Sequence, residues 1–274
     1  MEYLVGIAIL PVILLCSYIN KHDKDKEPKE LLKKVFIRGM LMVIPILFFE
    51  LIISYIYGKE ENLDMVNLFA STFIGVALIE EMFKWFVVYK HGYKNKEFNH
   101  AYDAIVYSVY SSLGFAVVEN VLYVLGNGFT TGLARALLAV PSHACDGVLM
   151  GYFFGKAKQS EYNGDQTSLN RFMTLSILIP VTAHAVYDYL LFTGKTMYLI
   201  IFFIFVIVIY IICFRIIKKV SLVEKNFDGT EINIKQENNN IINHADYTKA
   251  FYHAVIVMLI ISIIIAIVSY LVNL

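Results

Sequence analysis

Long apolar runs separated by short polar clusters dominate the chain. They lie at about 3–19, 35–57, 65–89, 103–125, 133–155, 172–193, 197–217 and 250–273. Most exceed the ~18 apolar residues that cross a ~30 Å hydrocarbon core at ~1.5 Å per residue. The pattern predicts an all-α, polytopic membrane protein of about eight transmembrane helices, forming one domain over residues 1–274. The longest polar stretch, about 218–249, contains "NFDGTEINIKQENNN" and reads as a loop or partly disordered segment.

Composition agrees with the pattern. Hydrophobic residues make up 58% of the chain and charged residues 17%, where soluble domains run nearer ~25% charged. The net charge is zero, so its distribution carries the information. Nineteen of the 23 basic residues fall in the segments after spans one, three, five and seven, counting the membrane edges. The alternate loops hold only Lys59, Arg135 and Lys195, and Lys84 lies within a span. The positive-inside rule therefore puts the basic segments, including the 218–249 loop, in the cytoplasm and both chain ends outside. Residues 1–19 fit a secretory signal poorly, because Glu2 stands where a positive region belongs and no small-x-small cleavage site follows. They read as a retained first span. Cys16, Cys145 and Cys213 sit in apolar runs without CxxC spacing, as buried small hydrophobes do. Neither a glycine-rich phosphate loop nor a basic-aromatic nucleic-acid face is present, so the bilayer is the expected partner and nucleic acid is not.

Hydropathy leaves a short set of ionisable groups unexplained. Span three carries Glu80, Glu81 and Lys84; span four Glu119; span five His143 and Asp146; span six His184 and Asp188. Span two adds Glu50 near its outer end, where partial solvation makes it less telling. The five acids and one lysine of spans three to six would together cost about 15–20 kcal/mol unpaired, so they must face one another or a wet cavity. Four neighbouring spans carrying such groups point to one shared site.

Spacing organises that site. Glu80 precedes Lys84 by four, the favourable order for a helical ion pair, while Glu81 lies about 100° round the helix, so one glutamate can be held by Lys84 while the other looks elsewhere. His143 and Asp146 are three apart and His184 and Asp188 four apart, so each histidine has a carboxylate on its own face to steady its tautomer and charged form. Phe115, four before Glu119, sets an aromatic wall beside that acid. Simpler readings exist for each part. A Glu–Lys pair can lock helices, a lone histidine can be an interhelical hydrogen bond, and Asn120 is better explained as packing glue. The combination exceeds what helix glue needs, and it contains the parts of an acid–base hydrolytic site. A proton- or ion-coupled transporter also strings acids and histidines through a membrane, but no convincing inverted repeat is visible. A non-catalytic membrane scaffold is a third alternative.

At these residues the chain resembles a family. "EEMFK", "FAVVE" and "HAVYD", with His143 between the last two, follow the order Glu-Glu-x-x-Lys, Phe-x-x-x-Glu, His-x-x-x-Asp of the PrsW intramembrane proteases. Those are distant relatives of the CAAX prenyl endopeptidases. "DKEP" in the first basic loop and "DAIVYSVYSSLGFAVVEN" are similar too, and the likeness covers about residues 21–193, with a motif-bearing core at about 65–193. The resemblance implies a bacterial cell-membrane protease making the first cut in a single-pass regulatory substrate, an anti-sigma factor, in an envelope-stress response. It further implies that Glu80 activates water with support from Glu81, that Glu119 helps hold that water, and that His143 or His184 stabilises the oxyanion. Lys84 would be the counter-charge, with Phe115, Asn120, Asp146 and Asp188 in support. The CAAX enzymes have histidine where this chain has Glu119, so the division of labour stays open.

Hydrolysis near neutral pH needs a base of pKa about 6–7, an acid for the leaving amine and donors for the oxyanion. No serine or cysteine of the set has an activating base, and the adjacent Ser142 and His143 diverge on one helix, which disfavours a covalent mechanism. No metal is the first reading. Zinc held by Glu119, His143 and His184 is the rival, with another glutamate as base; against it, no HExxH occurs and the ligands come from separate helices. One difficulty is depth. The expected span ends leave Glu119, His143 and His184 about 9–15 Å from the outer edge but Glu80 about 22 Å, at ~1.5 Å per residue, too far apart to share a water unless span three tilts or starts elsewhere.

Overall fold

The computed structural model describes residues 2–57, 63–223 and 225–231. The first seven expected spans fall on helices there. The eighth, at about 250–273, and most of the 218–249 loop lie outside the described residues. Among the described residues six helical stretches are long and apolar enough to cross a membrane, and the longest, Ala101–Tyr162, contains spans four and five. Their outward surfaces are apolar. Leu14, Phe48, Leu51, Tyr55, Ile200 and Ile204 are all exposed, as side chains are when lipid replaces water around them.

Helix α1 (Glu2–His22) leads into a turn whose carbonyls at Asn20 and Asp23 accept from Lys26 Nζ. Span two is two helices, α2 (Lys29–Leu41) and α3 (Val43–Tyr57), broken at Met42. Pro45 causes the break, because it has no N–H for the Leu41 carbonyl and its ring crowds that oxygen. Span three begins as α4 (Met65–Ala70), capped by Asp64 Oδ1 accepting from the Val66 and Asn67 amides at 3.0 and 2.8 Å. It passes through wide π-helical turns at Ser71–Ala77 into α5 (Leu78–Val88). Helices α6 (Ala101–Leu137), α7 (Ala139–Tyr162), α8 (Gln166–Phe192) and α9 (Thr196–Val220) complete the described bundle.

Helix α6 is the axis. From Tyr102 to Val117 every residue but Tyr110 is buried, and it packs on α1, α2 and α7. A helix covered on all sides needs an approach closer than ordinary side chains allow. Gly39 of α2 and Gly114 of α6 supply it reciprocally: a Cβ on either would come within 2.2 Å of a carbonyl oxygen, of Ser111 or Phe36 respectively. Tyr102 donates to the Ile19 carbonyl at 3.1 Å and Asn120 Nδ2 to that of Ala8 at 3.0 Å, tying α6 to α1.

Span five does not start at 133 as the hydropathy implies. Gly128 takes φ 83° and ψ −165°, open to glycine because it lacks a Cβ. There α6 breaks, residues 129–137 form a short helix of their own, and α7 starts at Ala139.

Candidate active site

Helix α5 is turned so that its charged face looks inward. Two ties fix that rotation: Trp85 Nε1 donates to Ser176 Oγ on α8 at 2.8 Å, and Ser111 Oγ on α6 donates to the Lys84 carbonyl at 3.1 Å. Lys84 is fully buried, yet its ammonium is satisfied on every side. Nζ lies 2.9 Å from Glu80 Oε2, 2.7 Å from Glu81 Oε1 and 3.3 Å from His143 Nδ1, and 4.3 Å from the centre of the Phe115 ring. Three donors meet three acceptors, and the aromatic face takes the remaining side. Both glutamates are therefore held by Lys84, which corrects the expectation that only one is, and Glu81 reaches His184 as well. Residues i+3 and i+4 flank one helical face, so a long lysine stem reaches both. Phe115 serves the ammonium and the His143 ring, 5.6 Å away between centres.

The two histidines have different neighbours. His143 Nε2 lies 2.9 Å from Glu119 Oε2 on α6, so its carboxylate partner is Glu119, not the Asp146 that the spacing suggested. Three-residue spacing puts two side chains on one face without saying which neighbouring helix that face meets. Since an ammonium can only donate, His143 Nδ1 must accept, which makes Nε2 the protonated nitrogen. His184 follows the spacing: Nε2 lies 3.4 Å from Asp188 Oδ2, and Nδ1 lies 2.9 Å from Glu81 Oε1. Glu80 and Asp146 each approach His184 Nδ1 at 3.9 Å. The rings meet edge to face with centres 5.4 Å apart.

Two further residues belong here that sequence reasoning passed over. Arg135, counted earlier only as a loop charge, puts Nη2 2.6 Å from Glu119 Oε2 and Nε 3.1 Å from Asn120 Oδ1. Asn120 is thus both glue to α1 and a brace for this arginine. A lone arginine beside an apolar run, with an acid and an amide in the preceding span, was the available signal. Glu50, discounted as half-solvated, borders the same cavity as Glu80.

Most of these groups border a cavity of about 970 Å³ between α3, α5, α6, α7, α8 and α9. Glu50, Glu80, Glu119, Asp146, His184 and Asp188 border it, whereas Glu81 and Lys84 lie behind. The depth difficulty disappears, because His143 touches both Lys84 on α5 and Glu119 on α6. The π-helical turns at Ser71–Ala77 contribute, since more residues per turn give span three less length than a regular helix.

The donor chemistry also raises a metal. One ligand atom from each of Glu80, Glu81, His143 and His184 lies within 4.8 Å of the others, and zinc accepts such a set. However, the point where they converge is filled: Lys84 Nζ contacts three of the four residues at 2.7–3.3 Å. A divalent ion and the ammonium cannot share that position, so the set as arranged does not fit a metal. Glu119, the expected ligand, faces Arg135 on the far side of His143.

Comparison with known proteins follows the same line. A family model described as "PrsW family intramembrane metalloprotease" matches residues 27–213. The protein named Protease PrsW from Oceanobacillus iheyensis is 38% identical over 218 residues, covering 80% of this chain and 96% of its own length. Its namesake from Geobacillus kaustophilus is 41% identical over 189 residues, covering 69% and 79%. That from Bacillus subtilis is 37% identical over 189 residues, covering 69% and 82%. No solved structure shows a significant match. With its buried acid–base cluster between membrane-spanning helices and these relatives along most of its length, the chain belongs to the PrsW family of intramembrane peptidases.

Proposed function

We propose that this peptidase hydrolyses a peptide bond in a single-pass membrane regulator by activating water with Glu80. The observation carrying the proposal is the division of the glutamate pair. Glu80 borders the cavity while Lys84 grips it from behind; Glu81 has no exposure and braces Lys84 and His184. A base must reach a substrate water, and of these two only Glu80 can. The proton that Glu80 takes from the water can then pass to the leaving amine. The oxyanion donor is His184, whose Nε2 has the looser partner, at 3.4 Å; both nitrogens of His143 are engaged more tightly. Glu119 acts on His143 rather than on water.

An anti-sigma factor is the substrate class that family membership supports, with the first cut made near the extracytoplasmic side. Charge asymmetry supports the matching orientation, with the Gly128 turn outside, and modification of single cysteines placed at 128 and 158 by an impermeant reagent tests it. The central experiment is co-expression with tagged candidate anti-sigma factors, comparing wild type with Glu80→Gln, Glu119→Gln and His184→Ala. Glu80→Gln and His184→Ala should abolish cleavage while inserting normally. Wild-type cleavage by all three variants sinks the reading.

The convergence of four donor residues favours a second reading, zinc catalysis, which requires Lys84 to withdraw. Purified protein that keeps its cleavage rate after strong chelation supports the glutamate mechanism. Loss restored by zinc alone establishes the rival.

A further inference from the structure

We propose that Arg135 is a positioning residue for the hydrolytic site, acting through Glu119 on His143; the proposal rests on the glutamate mechanism above. Arg135 arrives on the short helix of residues 129–137, which exists because Gly128 reverses the chain at the end of α6. That segment packs back against the helix it left: a Cβ on Gly132 would lie 3.0 Å from Val124 Cγ2 and 3.4 Å from Ile7 Cγ2. It also forms one wall of the cavity, through Thr131, Ala134 and Arg135.

The arginine is held rigidly. Its guanidinium lies 4.0 Å above the Tyr123 ring centre, Nε donates to Asn120 Oδ1 at 3.1 Å, and Nη2 donates to Glu119 Oε2 at 2.6 Å. Asn120 is in turn fixed by the Ala8 carbonyl. The same Glu119 oxygen takes the His143 Nε2–H at 2.9 Å. A carboxylate receiving a guanidinium and an imidazole N–H stays ionised and cannot turn away. With Nε2 so engaged, His143 Nδ1 is left as the lone-pair nitrogen facing Lys84, the residue that carries Glu80. Arg135 therefore sets the tautomer of a histidine it never touches, in the way second partners orient a ring from its far nitrogen.

The test uses full-length protein in detergent and a tagged single-pass reporter that the wild type cleaves. Arg135→Gln should lower kcat about 10–100-fold with KM within about twofold, as outer partners do, and Arg135→Lys should recover a substantial part. Arg135→Gln combined with Glu119→Gln should be no slower than the slower single variant, because both act through His143. Nitrogen NMR of His143 should show the fixed Nε2–H form in wild type and a mixture in Arg135→Gln. A full wild-type kcat in Arg135→Gln, multiplicative losses in the double variant, or an unchanged His143 signal would each overturn the proposal. An inactive Glu80→Gln beside a fully active Arg135→Gln sinks this proposal alone. A fully active Glu80→Gln sinks the mechanism beneath it.

Discussion

Replacing Lys84 by methionine keeps the length of the side chain and removes the only ammonium in the cluster. Its two carboxylate bonds, at 2.9 and 2.7 Å, sit where neither partner has appreciable exposure. Deleting one partner of a buried ion pair costs about 3–5 kcal/mol. An independent route gives a similar figure. The stranded carboxylate can instead take a proton, and at pH 7, against an ordinary glutamate value near 4.3, that costs about 4 kcal/mol. The second route has a pH signature: at pH 5 the same protonation costs only about 1 kcal/mol. Equilibrium unfolding of wild type and Lys84→Met in mixed detergent micelles should therefore show a loss of about 3–5 kcal/mol at pH 8, most of it gone at pH 5. Adding Glu81→Gln to Lys84→Met should restore part of the loss, since it removes one stranded charge. If Lys84→Met unfolds like wild type at pH 8, or if Glu81→Gln deepens the loss, Lys84 is not the hub.

Three further outcomes follow from other parts of the molecule. Burial, with Asp23 and Asp25 adding to it, pushes the Glu27 carboxyl from 4.5 up to about 7 against hydrogen bonds from Tyr107 and Asp103. The folded state thus binds more protons than the unfolded chain between pH 4.5 and 7, so stability should fall by about 3 kcal/mol across that window and level above it; Glu27→Gln should flatten this part of the unfolding profile, and an unchanged slope refutes the assignment. Gly114→Ala drives a Cβ to 2.2 Å from the Phe36 carbonyl oxygen, and α2 must move at a cost of about 1–3 kcal/mol; unfolding at wild-type detergent concentration would contradict that contact. Asp188→Asn should cut reporter kcat about 10–100-fold by loosening His184, and an unaltered kcat removes Asp188 from the site.

The bundle was legible because spanning a bilayer demands runs of apolar residues that little else requires. The site's membership was largely legible for the complementary reason: in such runs every charge is costly and must have a partner. The pairings were less so. Glu80 with Lys84 and His184 with Asp188 are contacts within one helix, and helical spacing encodes those directly. His143 with Glu119 is a contact between helices. It depends on how far α7 is rotated against α6, which glycine contacts and the early break at Gly128 decide. Arg135 stayed hidden for the same reason. Hydropathy placed it at the start of a span, whereas a single positive φ at Gly128 folds its segment back over the site. The Met42 break follows from Pro45 and could have been read. The π-helical turns at Ser71–Ala77, which help bring Glu80 level with Glu119, leave no residue signature.

The charges of the site suit acid–base chemistry. Six carboxyl groups, Glu50, Glu80, Glu81, Glu119, Asp146 and Asp188, gather around two permanent cations, Lys84 and Arg135. His143 adds no charge, because its Nδ1 accepts from Lys84. Even a doubly protonated His184 leaves three more negative than positive groups if every carboxyl is ionised. Buried charge of one sign is costly unless it is paired or meets water. A site built only to lock helices would balance its charges. This one holds a surplus of proton acceptors beside a cavity, with one cation behind Glu80 and another behind Glu119. On the proposed mechanism, that arrangement would keep a base and an acid within reach of the same water, as peptide hydrolysis inside a membrane requires.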